Sequence, residues 1–336
     1  MKRMQRARRE EGIALITTIG LLVVFMLIGI AWVDYMTVET NKSDLQINLI
    51  RARYAASGGV QAGIAHVEAA LATQALPSST LPELKVPVYR KGDTPVLDED
   101  RECRVTVTIS DESARININY APPNVLRKIL GVEAEEAREI RSSLPRLEGE
   151  PVTAGDQDRH WFTSVDELVT RSFLTAEQLT PELAALLTVY SVPDPANPAG
   201  YMNVNTAPGP VLEALLDITP DVAARVIETR TQRPLADVTE LSAAAGKDPA
   251  TFNVRPAPDA LNTLPRELGF TSRCYRIASH AELVKDERVI GSGYVEAVVY
   301  IDPQGSPRIL HWSEGLRETE SVTASVEEPE AAPAAA

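Results

Sequence analysis

No His-x-x-x-His pair, Gly-x-Ser-x-Gly elbow or glycine-rich phosphate loop occurs among the 336 residues. Their absence removes the commonest spacings for zinc, acyl-enzyme and nucleotide chemistry, so the chain reads as a non-enzyme. The four histidines, His66, His160, His280 and His311, fall in separate segments and read as surface or sheet residues rather than ligands. Net positive charge is missing as well. At −14 the chain gains nothing from neutralising phosphates, which argues against nucleic acid as a partner. Cysteine is nearly absent, with only Cys103 and Cys274. A compartment beyond the membrane permits a disulfide between them, two free buried thiols is the other reading, and their spacing decides nothing.

Charge is absent from one long stretch. Ile13 to Val33 is 21 residues without a charged side chain. At about 1.5 Å per residue such a helix spans roughly 30 Å, the thickness of a bilayer core. Lys2, Arg3, Arg6, Arg8 and Arg9 precede it, and Asp34 and Glu39 are the first charges after it. That asymmetry predicts a single-pass anchor with a cytoplasmic N-terminus and the bulk of the chain outside. The run is too long for an ordinary secretory signal, and Trp32-Val33-Asp34-Tyr35 offers no small-x-small cleavage site. A plain uncleaved anchor is one reading. Gly12, between the charged leader and Ile13, supports another: a basic leader, then glycine, then an apolar helix resembles the leader of type IV pilins and pseudopilins.

Proline is absent from Ile13 to Leu76, so one helix is predicted over 13–76. Its outer half carries Leu49, Val60, Ile64, Val67 and Leu71. The last four are spaced 4, 3 and 4, an apolar stripe suited to packing against a globular domain. Gly58-Gly59 marks a bend or a close contact. Residues 77–101, rich in proline, serine and charge, read as an irregular connection. Cys103–Ile109 alternates as a strand, and Cys274–His280, Gly293–Ile301 and Arg308–Trp312 read as its distant partners, with a turn at Asp302–Gly305. Beyond Leu316 the Glu/Ala/Pro composition reads as a disordered tail.

Between the strands lies an internal repeat. Arg115–Leu126 matches Met202–Leu212 at an offset of 86, pairing Asn117 with Asn203, Asn119 with Asn205 and Ala121-Pro122 with Ala207-Pro208. A second block, Phe162–Leu168, matches Leu235–Leu241 at an offset of 73, so the first copy carries 13 extra residues. Each copy reads as an Asn-rich lead-in, a helix opened by Ala-Pro, a tight turn and further helices. In the 13-residue excess, Glu148, Glu150, Asp156 and Asp158 cluster in a loop containing proline and glycine. Hard oxygen ligands of this kind suit calcium, although the spacing is not that of an EF-hand and a solvated acidic loop is the other reading. The repeat pattern also resembles the helix-hairpin-helix that grips DNA backbone. That grip presents turn glycines to a phosphate, whereas here Glu133 and Asp217 stand at the turns.

The leader with Gly12, the segment Arg51-Ala-Arg-Tyr-Ala-Ala-Ser-Gly-Gly59, the two Asn-x-Asn repeats and the closing Leu310-His-Trp312 together resemble the K subunit of type II secretion systems, a large minor pseudopilin. The similarity covers most of residues 8–316. It implies an α+β fold: a long N-terminal transmembrane helix, a pseudopilin-like antiparallel sheet, and a large all-α insertion of two tandem SAM-like, helix-hairpin-helix-like domains. The expected divisions are a prepilin-type leader at 1–12, the helix at 13–76, the sheet domain at 77–112 with 268–316, helical domains at 113–192 and 193–267, and the tail at 317–336.

The resemblance also implies cleavage after Gly12 by the prepilin peptidase, leaving Ile13 as the first mature residue. Thr17 then takes the fifth mature position, where most pilins have Glu and the K subunit does not. Implied partners are the I and J minor pseudopilins and other pseudopilins, the peptidase, the inner-membrane assembly platform and membrane lipid, with the stripe on 49–71 contributing to subunit packing. Family members hold calcium. The place is the bacterial inner membrane with the bulk periplasmic, and the role is assembly of the secretion pseudopilus from its tip. A membrane-tethered DNA receptor of the competence type and a minor pilin of a type IV pilus are the alternatives.

Overall fold

A computed structural model describes residues 2–72, 84–89, 101–145, 159–190, 202–248, 252, 268–302 and 304–315. The chain is a mixed helix-and-sheet protein. Helix α1, Lys2–Ala72, runs without interruption for 71 residues, as the missing prolines predict. Its apolar stretch is long and apolar enough to cross a membrane, and none of that stretch is buried in the protein. From Asn48 onward the helix lies on a sheet.

That sheet has five antiparallel strands: β1 (Leu84–Tyr89), β2 (Arg101–Asp111), β7 (Cys274–Lys285), β8 (Arg288–Ile301) and β9 (Pro307–Gly315), in spatial order 1-2-7-8-9. The expected connection at 77–101 thus contains an edge strand, β1. Its register breaks between Val86 and Tyr89 around Pro87, which donates no ladder hydrogen bond and is tolerated only at an edge. β7 and β8 are longer than the sequence pattern suggested, because Asp286 (φ 49°) and Glu287 (φ 65°) join them in a two-residue turn. Positive φ at both positions matches the twist of a hairpin, and without the usual Asn-Gly pair the signal was hidden.

Helix α1 meets the sheet along a seam of small residues. A Cβ at Gly59 would lie 2.2 Å from Ser279 Oγ, one at Gly63 2.7 Å from Ile277 Cγ2, and one at Gly293 2.6 Å from the Arg53 nitrogen. Around this seam Ala52, Ala56, Val60, Ile64 and Val67 are buried with Val105, Val107, Ile277, Val295 and Val299. Each buried Val or Ile contributes about 1.5–3 kcal/mol relative to exposure. The stripe Val60, Ile64, Val67 and Leu71 packs on the chain's own sheet, as its spacing predicts, and the share in subunit packing implied for it is thereby corrected.

The helices come between β2 and β7. The first copy contains β3 (Ile116–Asn117), α2 (Pro123–Leu130), α3 (Ala134–Ser142), α4 (Glu167–Thr170), α5 (Pro181–Ala185) and β4 (Leu187–Thr188). The second contains β5 (Met202–Asn203), α6 (Gly209–Leu216), α7 (Pro220–Gln232), α8 (Val238–Ala245) and β6 (Leu268–Gly269). Each copy is closed by a short parallel pair, β3 with β4 and β5 with β6. Their apolar residues, from Ile116 and Leu126 to Leu212 and Leu241, form a single core, so the copies are two halves of one helical body.

The repeated asparagines are clamps. In the first copy Asn119 Oδ1 accepts the Phe162 N–H at 2.8 Å, and its Nδ2 donates to the Phe162 carbonyl at 3.0 Å. In the second, Asn205 Oδ1 accepts the Leu235 N–H at 2.8 Å and its Nδ2 donates to the Leu235 carbonyl at 2.9 Å. Each joins the two matched sequence blocks of its copy. Asn117 and Asn203 hold the turn before it, accepting the N–H of Asn119 at 2.9 Å and of Asn205 at 3.0 Å. Buried backbone that enters no strand ladder needs such partners. The Asn-x-Asn pattern is structural chemistry.

Candidate functional site

The helical body meets the sheet at the end of β2, where Asp111 is followed by a 3-10 turn, Glu112–Ala114. Glu112 is fully buried. Arg276 of β7 grips it twice, Nε to Oε2 at 2.9 Å and Nη2 to Oε1 at 2.8 Å. The Thr188 hydroxyl of β4 donates to Oε1 at 2.6 Å, and Arg115 stands 3.8 Å away. Arg276 also pairs with Glu296 of β8, whose other oxygen accepts the Tyr294 hydroxyl at 2.9 Å. Glu112 therefore ties the first helical copy to the middle of the sheet.

Asp111 does the same for the second copy. Its Oδ2 accepts from Asn203 Nδ2 at 2.9 Å and the Thr206 hydroxyl at 2.6 Å, and its Oδ1 accepts the Ser113 N–H at 2.8 Å. Two adjacent carboxylates thus fix both halves of the helical body on one sheet. Burial would raise the Glu112 pKa, but the hydrogen bonds and charge of Arg276, with Arg115 and Thr188, outweigh it and hold the carboxylate below its ordinary range. Burial prevails at Asp111, whose neutral donors leave it above its ordinary value. A bidentate guanidinium–carboxylate pair is specific in geometry, and breaking it leaves a buried charge uncompensated. The arrangement fixes orientation and presents no nucleophile or acid–base pair to a substrate. Sequence reading missed this joint; Asp111-Glu112 directly ahead of the first Asn-x-Asn, and Arg276 within an apolar strand, are the signals that mark it.

The turns where a DNA-gripping hairpin would hold a phosphate are occupied otherwise, as the carboxylates at Glu133 and Asp217 predict. Gly131 and Asp217, at matching positions, both take the left-handed conformation that ends α2 and α6. Asp217 pairs with Lys128 of the other copy, and Lys247 Nζ donates to its carbonyl at 3.1 Å. Lys128 holds the Asp217 carboxylate below its usual range. Glu133 caps α3, its N–H donating to Glu136 Oε2 at 2.9 Å, so carboxylates already surround that helix N-terminus. At one position a buried apolar residue of the first copy gives way to a buried charge in the second: Leu144 corresponds to Arg230. The Arg230 guanidinium donates to the Val204 carbonyl, and burial lowers its pKa to about 10.

Gly12, Ile13 and Thr17 lie on the first part of α1. Glu148, Glu150, Asp156 and Asp158 lie outside the described residues. Among the described residues no group of three or more His, Cys, Asp or Glu side chains is placed to hold a metal ion. Cys103 and Cys274 are buried free thiols whose pKa values burial raises. The disulfide reading is corrected here. Cys103 faces Leu283 across the ladder, nine residues along β7 from Cys274, a separation of about 30 Å that no disulfide spans. Among the histidines, His66 and His160 are exposed and His280 half-buried, while the His311 ring stacks on Tyr190 with centroids 5.1 Å apart.

Residues 202–258, the core of the second helical copy, match the family model of type II secretion system (T2SS), protein K. Among solved structures, the fold is similar to a chain in the crystal structure of the GspK-GspI-GspJ complex from the enterotoxigenic Escherichia coli type 2 secretion system. The TM-score is 0.52 at 13% identity, over 82% of this chain and 99% of that one. No curated protein matches the chain.

Proposed function

We propose that the chain is a minor pseudopilin of the protein K type, a structural subunit that starts and caps the pseudopilus exporting folded proteins across the outer membrane. The observation that carries this reading is the match of the family model to the second helical copy. The fold likeness over nearly the whole length of a chain from a three-pseudopilin complex supports it. The physical design fits a filament subunit. An apolar helix is left bare at one end, its other half is locked onto a sheet, and a large helical body is held rigidly by Asp111 and Glu112 at the far side.

In this account the anchor sits in the bacterial inner membrane with its N-terminus in the cytoplasm and the sheet and helical body in the periplasm. The prepilin peptidase cuts after Gly12. Thr17, at the fifth mature position, lacks the carboxylate that would pair with a neighbour's N-terminal amine, which suits a subunit with nothing added above it. The partners are the I and J minor pseudopilins, other pseudopilins, the assembly platform and lipid. The subunit is non-catalytic, and its helical copies are hairpin units of helix-hairpin-helix or SAM-like plan that have given up the phosphate grip for packing. Calcium at Glu148, Glu150, Asp156 and Asp158 remains a proposal resting on their oxygen chemistry alone.

Deletion in the native host tests this. Loss of secretion, with folded substrate retained in the periplasm and export restored by the full chain, is the expected result. Unchanged secretion alongside loss of surface pili would assign the chain to a type IV pilus, and a defect confined to DNA uptake would revive the receptor reading.

A further inference from the structure

The protein has two separate apolar cores. Leu126, Val211 and Leu241 belong to that of the helical body, and Val60, Val107 and Ile277 to that of the sheet with α1. Among the described residues no side chain belongs to both. The chain crosses between them twice, after Asp111 of β2 and before Cys274 of β7. The crossings lie side by side, because Asp111 pairs with Tyr275 in the ladder. The Ser272 hydroxyl donates to the Ser113 hydroxyl at 3.0 Å and ties them into one strap. Two bodies joined by a strap and a polar contact, with no common core, are built to move as units.

The charges at the joint are arranged so that the bodies can part without stranding any of them. Glu112 is held by Arg276 across the joint, but Thr188 at 2.6 Å and Arg115 at 3.8 Å lie on its own side. Arg276 holds Glu112 through Nε and Nη2, while its Nη1 already bonds Glu296 of β8. When the body swings away, Glu112 keeps Arg115 and Arg276 keeps Glu296. An ordinary buried pair has no second set of partners, and separating it leaves both charges uncompensated. Asp111 gains by the movement. Its donors Asn203 and Thr206 are neutral, burial opposes its charge, and parting gives it water. A further tie, the stack of Tyr190 on His311, joins two half-buried rings.

We infer that Glu112, Arg115, Arg276 and Glu296 form a partner-exchanging latch, closed in this structure, whose release lets the helical body pivot on the 112–115 and 270–273 strap with both cores intact. The latch sets which way the body faces relative to α1. It goes beyond the pseudopilin reading and does not depend on it.

The test is the distance between nitroxide labels at two exposed positions, Glu228→Cys on α7 and Glu287→Cys at the β7–β8 turn, measured by pulsed electron resonance on the full chain in lipid nanodiscs. Cys103 and Cys274 are buried and stay unlabelled in the folded protein. A main distance for the closed body and a second for the open one are expected. Arg276→Met should raise the second population about tenfold, and Tyr190→Ala should raise it without touching a buried charge. In the Tyr190→Ala background, Arg115→Met and Glu296→Gln each remove one alternative partner and should lower it again by about tenfold. A joint with a merely structural role would be loosened by every one of these changes. Amide exchange at Leu126 and Ile277 should stay protected throughout, since neither core opens. A single distance that no variant moves would overturn the inference. So would a second population that Arg115→Met or Glu296→Gln raises, or one that comes only with lost protection in either core. If Arg276→Met does not fold, the Tyr190→Ala series decides.

Discussion

Glu112 and Arg276 form a two-point ion pair where the sheet meets the first helical copy, and Asp111, one residue earlier, holds the second copy. Glu112→Gln removes the charge and leaves Arg276 half-compensated in a buried site, so a loss of about 3 kcal/mol or more at neutral pH is expected. The pH dependence has a definite sign. The folded-state pKa of Glu112 is depressed, so its stabilisation is complete above the ordinary value of 4.5 and is lost as pH falls through the lower folded value. Asp111 shifts the other way but is common to both proteins and cancels in the difference. Urea unfolding of wild type and variant should give a constant gap from pH 7 to about pH 5 that narrows below it. A gap that widens on acidification would contradict the assignment.

Asn205 replaces three missing backbone partners at once: the N–H and carbonyl of Leu235 and the carbonyl of Phe270. Asn205→Ala orphans buried groups and should destabilise the helical body by about 3 kcal/mol. Asn119→Ala should do nearly as much through Phe162. Because both copies share one core, limited proteolysis should show them opening together rather than one at a time.

Gly58 and Gly59 should respond in opposite ways. Gly59→Val drives atoms into Ser279 and Val105 and is expected to detach α1 from the sheet, lowering stability by several kcal/mol. Gly58→Ala meets nothing and should raise stability by up to about 1 kcal/mol. Denaturation of the two variants beside wild type separates a packing glycine from an exposed one.

How much of this was legible in the sequence depended on whether the signal was local. The membrane helix, the Asn-x-Asn copies with their 86- and 73-residue offsets, and the main strands stood out because period and repetition are written into neighbouring residues. Edge strand β1 did not, because a strand containing Pro87 mimics a loop. The Asp286-Glu287 turn places Glu at the second left-handed position, where glycine is the usual signal. The apolar stripe at 60–71 was assigned correctly to packing against the chain's own globular part, and only the further share in subunit packing that the family resemblance implied does not hold. The Asp111–Glu112 joint gathers Thr188, Asn203 and Arg276, up to 164 residues away, and only the folded topology brings them together.

The two thiols give a simple check on the sheet register. With Cys103 opposite Leu283, the native protein should remain fully reduced and alkylate only on unfolding, with both cysteines labelled in denaturant under non-reducing conditions. An intramolecular Cys103–Cys274 bond in protein from the periplasm would refute the register of β2 on β7.

The central claim is that this chain enters the pilin assembly pathway, and the most direct measurement is its N-terminus. Intact mass and N-terminal sequencing of membrane-extracted protein, from hosts with and without active prepilin peptidase, should show a mature chain beginning at Ile13, with or without a methylated amine, only when the peptidase is present. A chain that keeps Met1 to Gly12 beside an active peptidase would contradict the account and leave a plain anchored periplasmic protein.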